Sequence, residues 1–299
     1  MESSQTYLDP LTLARIKDLE LKARQVIEGF VSGSHKSPFQ GISVEFAEHR
    51  EYVPGDDVRH VDWKVFGKTD KFYLKQYEQE TNLVCNLLLD VSESMRYGSG
   101  ETSKLEFASR LVASLAYLIV HRADSVGLAL FEDRLHKFLP PASQATHLKQ
   151  LLTLLATCEP GKEASRVGDV LGEMAGRLTK RSLIMVVSDC FDDIDRIVAG
   201  IKHLRYKRHE IVFFHVLDPA ELDFPFDQIT LFKGLEALPD VLAEPRALRN
   251  AYLAEFNEYL KELRLACRAN DVDYQLMRTD QPLDLALAGY LASRSARSA

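Results

Sequence analysis

Cysteine is scarce and scattered in this chain: Cys85, Cys158, Cys190 and Cys267 lie far apart, and no Cys-x-x-Cys pair occurs. That spacing excludes a zinc ribbon or a thioredoxin-type motif and fits reduced thiols in a cytoplasmic protein. No apolar run approaches the ~18–20 residues of a membrane span, and the opening residues do not resemble a signal peptide. The apolar stretch Leu111–Val120 is bracketed too closely by Arg110, His121, Arg122 and Asp124. Positive charge is not in excess: 37 Lys and Arg against 44 Asp and Glu leave a net −7, with the basic residues spread among acids. A broad nucleic-acid-binding face is therefore not expected. There is no Gly-x4-Gly-Lys-Ser/Thr loop to cradle nucleotide phosphates, and no His-Glu-x-x-His or His-x3-His spacing for catalytic zinc.

What remains is an ordinary globular balance, with 27% charged and 46% hydrophobic residues over 299 positions. That is enough for one large domain or two modest ones with ample core. An amphipathic helix is expected between Leu8 and Phe30, with Asp9 as N-cap and Pro10 as first helical residue. A loop follows at Ser32–Pro38. Residues 39–80 are rich in aromatics and charge and follow no single periodicity, apart from a strand at Lys71–Tyr77. From residue 82 the pattern alternates regularly. Strands are predicted at 83–89, 126–131 (with a short hairpin partner at 135–139), 183–187, 210–217 and 272–277. Helices are predicted at 103–122, 146–157, 166–178, 193–206, 246–269 and 282–293. Only 219–245, which contains Pro219, Pro225, Pro239 and Pro245, breaks the alternation. The expected fold is α/β: a doubly wound, mainly parallel sheet over 82–299, preceded by an N-terminal extension over 1–81 that packs against it.

The chemistry concentrates at two strand ends. Leu83-Val-Cys-Asn-Leu-Leu-Leu-Asp-Val-Ser-Glu-Ser94 runs a buried-strand pattern straight into Asp-x-Ser-x-Ser. Asp90, Ser92 and Ser94 then share one tight loop, and they are the hard oxygen donors that Mg²⁺, or Mn²⁺ in its place, accepts beside retained water. A second strand ends at Ser188-Asp189. Two such ends beside a topological switch point form the crevice in which open sheets bind ligands, here expected to be solvent-accessible. Ser165, in the loop that opens the helix at 166, offers a further hydroxyl. The competing reading is that Asp90 caps its turn and the serines bond backbone amides. Asp192, Asp193 and Asp195 read as caps of the next helix, and His215 as a satisfied core histidine. The basic run Lys202–His209 reads as complementing a helix C-terminus. Cys190 has no evident base to activate it.

The strand–Asp-x-Ser-x-Ser–helix unit with a later Ser-Asp strand end resembles a von Willebrand factor type A domain. Its metal-ion-dependent adhesion site would correspond to Asp90, Ser92, Ser94, Ser165 and Asp189. Such domains commonly carry threonine where Ser165 stands here; serine keeps the hydroxyl. A longer match runs through Arg50-Glu-Tyr-Val-Pro-Gly-Asp-Asp-Val-Arg-His-Val-Asp-Trp63-Lys64, Lys68-Thr-Asp-Lys71 and Lys75-Gln-Tyr-Glu-Gln-Glu80. This is similar to the family catalogued as domain of unknown function 58. Those are von Willebrand A-like proteins usually encoded beside MoxR-type AAA+ ATPases. In the signature, Pro54-Gly55 sets a turn, Asp56, Asp57 and Asp62 have Arg50 and Arg59 as candidate partners, and Trp63 is a candidate anchor. Partner contact is the second reading of the same residues.

Three functions follow. In the first, the chain is no enzyme but a metal-dependent adaptor. It captures a carboxylate on a protein partner, which the resemblance implies is a MoxR-type ATPase acting on a further client. The second is a metal-dependent phosphohydrolase with Asp90 as nucleophile. Ser92 stands where such enzymes place a second acid and cannot make the same proton transfer at neutral pH. The third is a structural domain whose serines cap turns.

Overall fold

The computed structural model describes residues 45–51, 65–67, 72–78, 83–235, 239–287 and 290. The helix expected at 8–30, the loop at Ser32–Pro38 and the signature residues Pro54–Trp63 lie outside them. Contacts divide the chain into a small unit, 39–83, and a larger one that includes 84–299. In the small unit β1 (Glu45–Glu51) pairs antiparallel with β2 (Tyr73–Glu78). The register slips between Phe46 and Glu48.

The larger unit holds β3 (Val84–Asp90), α1 (Lys104–Val120), β4 (Ser125–Phe131), β5 (Leu135–Ala142), α2 (Ala145–Ala156) and α3 (Val167–Arg177). It continues with β6 (Leu183–Ser188), α4 (Ile194–Tyr206), β7 (Glu210–Leu217), α5 (Pro219–Asp223), β8 (Thr230–Phe232), β9 (Val241–Ala243), α6 (Pro245–Ala269) and β10 (Asp273–Arg278). Six strands form one sheet in the order β10-β7-β6-β3-β4-β5. All neighbours are parallel except β5, which returns antiparallel on β4. This is the doubly wound, mainly parallel sheet that the sequence predicts. β3 and β6 are covered on both faces and so show no alternation: apart from Asn86 and the strand-end residues Asp90 and Ser188 they are apolar.

α1 packs on one face of the sheet, and α2 packs on α1. That sandwiching explains why 13 of the 17 residues of α1 are buried. The Ser103 hydroxyl caps α1 by accepting the Glu106 amide at 3.2 Å. The other face is covered by α3, α4 and α6, whose Val170, Met174, Ile197, Ile201 and Leu263 bury Leu88, Ile184, Val186 and Phe213. Of the predicted terminal helix, 283–287 and Tyr290 are described; Tyr290 lies edge-on to Phe214 at 5.0 Å. The proline-rich break at 219–245 contains the short helix α5 and an antiparallel β8–β9 ladder, neither of which the sequence pattern revealed.

Two glycines let α3 and α4 touch at the backbone. A Cβ on Gly168 would lie 2.4 Å from the Arg196 carbonyl carbon, and one on Gly200 would lie 2.6 Å from the Gly168 oxygen. Gly168→Ala is therefore expected to destabilise the protein by ~1–3 kcal/mol through overpacking. Urea unfolding measures this; an unchanged midpoint would mean that the helices can separate freely.

Candidate metal centre

β3 and β6 are neighbours, yet the chain continues from β3 to β4 on one side and from β6 to β7 on the other. The switch point therefore falls between them, and the two sequence-predicted acids sit at their carboxyl ends. Asp90 is the last residue of β3, and Asp189 follows the last residue of β6. The Asp90 carboxylate gathers the loops around it. Its Oδ1 accepts the Ser92 amide at 2.9 Å. Its Oδ2 accepts the hydroxyls of Ser165 and Ser188, each at 2.6 Å. The Ser92 and Ser94 hydroxyls lie 3.1 Å apart. Asp189 is close enough for its charge to act on Asp90. All five predicted residues are thus brought to one place.

The structure corrects the expectation of a solvent-accessible crevice. Asp90, Ser92 and Asp189 are 0% exposed, and Ser94 and Ser165 are buried. Two loops close over them. The Gly161 amide donates to the Val91 carbonyl at 2.6 Å, and the Glu93 amide to the Glu163 carbonyl at 3.4 Å. Sequence periodicity reports strands and helices, and carries no record of how two loops fold across each other.

Three further residues belong to the site and were not anticipated. Ser188 links its neighbours: its hydroxyl donates to Asp90 and accepts the Cys190 amide at 2.8 Å. Lys104 is fully buried and donates to Asp189 Oδ2 at 2.8 Å and to Glu221 Oε1 at 2.6 Å. Its ammonium also lies 4.8 Å from the centre of the Phe191 ring. Burial opposes the charge, but Asp189 and Glu221 outweigh it and hold the ammonium above its ordinary pKa. The readable signal was positional. Lys104 opens α1, where the helix dipole disfavours a cation, so a buried lysine there needs carboxylates. Glu221 comes from α5, where it also closes a capping box with Asp218.

The turn after β6 is strained. Cys190 adopts φ 55°, a left-handed conformation unusual for a residue with a side chain. Tyr259 clamps it by donating its hydroxyl to the Cys190 carbonyl. Burial raises the Cys190 thiol well above its ordinary range, which disfavours the thiolate. His215 is the core histidine expected: burial lowers it to about 4, so it is neutral. Its Nε2 donates to the Asp189 carbonyl and its Nδ1 accepts from Tyr274, both at 2.7 Å. Asp193 caps α4 by accepting the Asp195 and Arg196 amides, while Asp192 accepts the Gly168 amide at 3.0 Å.

The family described as protein of unknown function DUF58 matches residues 48–259. The chain belongs to the DUF58 family. Among its relatives are the uncharacterized proteins Rv1480 of Mycobacterium tuberculosis (strain H37Rv) and Mb1516 of Mycobacterium bovis. Each is 25% identical over 293 residues, covering 96% of this chain and 90% of the relative. Similar solved structures include the conserved hypothetical protein BatB from Bacteroides thetaiotaomicron, with 17% identity and a TM-score of 0.48 over 72% of this chain and 99% of that one. Another is the SpRpn10 VWA domain, with 13% identity and a TM-score of 0.42 over 69% and 94% of the two chains. Among the described residues of this DUF58 chain, no helix is long and apolar enough to cross a membrane.

The donor chemistry of the DUF58 site fits a hard divalent cation. Among the described residues, no cluster of three or more His, Cys, Asp or Glu is placed to hold a metal. The donors here are instead two carboxylates and the hydroxyls of Ser92, Ser94 and Ser165, an all-oxygen set of the kind Mg²⁺ takes. Asp189 Oδ1 is buried without a hydrogen-bond partner. Such an atom is costly unless something positive faces it. Burial, then the charge of Asp189, pushes the Asp90 carboxyl up to about 7, with the serine hydroxyls pulling the other way. Lys104 is shared between Asp189 and Glu221, which leaves negative charge in excess. A divalent cation would answer both the orphaned oxygen and the charge.

Proposed function

We propose that this chain is a non-catalytic, metal-dependent adaptor. Asp90, Ser92, Ser94, Ser165 and Asp189 would hold Mg²⁺, or Mn²⁺, and offer it to a carboxylate of a protein partner. The observation that carries the reading is Asp189 Oδ1, buried and unpaired beside a second buried carboxylate and three serine hydroxyls. When bound, the cation supplies an electrophilic centre whose coordination an incoming Asp or Glu completes. The chain's own part is to fix the ligands: Lys104 occupies one oxygen of Asp189 and leaves the other free. The serines orient Asp90. A partner's carboxylate would have to displace the contact between the loops 91–97 and 159–166, which close over the centre.

The phosphohydrolase reading has less support. Both oxygens of Asp90 are engaged, one by the Ser92 amide and the other by Ser165 and Ser188, which is poor preparation for nucleophilic attack. Simple phosphomonoesters and ATP are not expected to be hydrolysed. One metal-bridged contact would not sustain a complex, because association must overcome roughly 4–15 kcal/mol of lost freedom. Ile229, Leu231, Val241 and Leu242, exposed on and beside β8–β9, offer apolar surface for the remainder. The family resemblance makes a MoxR-type AAA+ ATPase the proposed partner, with a further client beyond it.

The test is recovery of that ATPase on immobilised protein in Mg²⁺, in chelator, and with Asp90→Ala. Loss in the second and third arms is expected. Equal recovery in all three would remove the metal from the interface.

A further inference from the structure

The loop that carries Ser165 to Asp90, 159–166, is held against the end of β4. Glu132, the residue after β4, supplies the hold. Its side chain is nearly buried, at 8% exposure of the residue. Its Oε2 accepts the Lys162 and Glu163 amides, each at 3.2 Å, and its carbonyl accepts the Arg166 amide at 3.0 Å. His136 Nε2 lies 3.3 Å from the other carboxylate oxygen. The loop fits round the carboxylate so closely that a Cβ on Gly161 would lie 1.8 Å from Oε2. Only glycine allows that approach. The loop then passes over Val91 through the Gly161 amide and delivers the Ser165 hydroxyl to Asp90 Oδ2.

We infer that Glu132 is a positioning residue for the metal centre: its carboxylate anchors the 159–166 loop through two backbone amides and so places Ser165 among the ligands. The inference rests on the proposed metal reading for its consequence, and on the loop geometry alone for its cause. Glu132 touches no proposed ligand side chain, so it acts through Ser165. Outer-shell groups of this kind commonly change metal affinity by ~10–100-fold.

The experiment is Mg²⁺ titration by calorimetry together with amide hydrogen exchange on the full chain. Glu132→Ala is expected to weaken Mg²⁺ by ~10–100-fold, to match Ser165→Ala, and to add nothing in the double variant. Glu132→Gln keeps an oxygen for the two amides and is expected to restore affinity, which separates anchoring from loss of a nearby charge. Exchange at Lys162 and Glu163 should quicken in Glu132→Ala but not in Glu132→Gln, with β3 amides unchanged. Additive losses in the double variant, or wild-type affinity in Glu132→Ala, would overturn the role in the centre. A wild type that takes up no Mg²⁺ would sink the metal reading by itself. The anchor would then be judged on exchange, and unchanged protection at Lys162 and Glu163 in Glu132→Ala would overturn it.

Discussion

Lys104→Met is expected to lower the stability of the metal-free protein by ~3–5 kcal/mol, the usual loss when one partner of a buried ion pair is removed. Lys104 is fully buried and answers Asp189, itself 0% exposed, and Glu221, which is mostly covered. Methionine fills a similar volume, so the effect reports charge rather than a cavity. Without the ammonium, Asp189 has no donor on either oxygen, since Oδ1 is already unpaired. Near the melting temperature each kcal/mol moves the transition of a domain this size by ~2–4 °C, so a fall of roughly 6–20 °C is expected. Adding Asp189→Asn to Lys104→Met should recover part of the loss, because the pair is then removed together. Thermal or urea unfolding in chelator decides it. A shift below about 1 kcal/mol would place the pair with weakly coupled surface bridges, contrary to its burial.

Asp90→Asn should have the opposite effect on the metal-free protein and a severe one on the metal-bound form. Burial and the charge of Asp189 raise Asp90 from 3.8 to about 7. Between about pH 4 and pH 7 the folded chain therefore holds a proton that the unfolded chain has released. Stability in chelator falls as pH rises through that window and stays low above it. Three units correspond to an upper bound of about 4 kcal/mol. Asparagine never ionises, so the variant should lack the fall and be the more stable of the two at pH 8. In Mg²⁺ the order reverses. On the proposed metal reading the cation should stabilise ionised Asp90 and raise the wild-type melting temperature by mass action, with no response from Asp90→Asn. Melting temperature against pH, with chelator and with Mg²⁺, tests all of this. Superimposable profiles for the two proteins would remove both the charge argument and the site.

By itself the sequence determined the alternation of strands and helices from residue 83 onward. Burial on both faces of a parallel strand, or on one stripe of a helix, is written locally in the order of apolar residues. β7 spans 210–217 as predicted, and α4 and α6 begin within one residue of their predicted starts. The Asp-x-Ser-x-Ser loop was legible for the same reason, since a strand end and its turn are contiguous in the chain. Ser165 and Asp189 were legible because each stands at the mouth of a recognisable element.

What only the tertiary structure decided is who faces whom. The pairing of β3 with β6, 98 residues apart at Asp90 and Ser188, brings Ser188 onto Asp90. The start of α1 meets both the end of β6 and α5, and so gives Lys104 its two carboxylates, Asp189 and Glu221. The end of β4 gives the Ser165 loop its anchor in Glu132. None of these partners is near the other in sequence, and none alters the local periodicity. The slip in β1, the β8–β9 ladder among prolines and the burial of the whole centre were hidden likewise. Each is set by the packing of segments distant in the chain, whose contacts a period of two or 3.6 residues does not record.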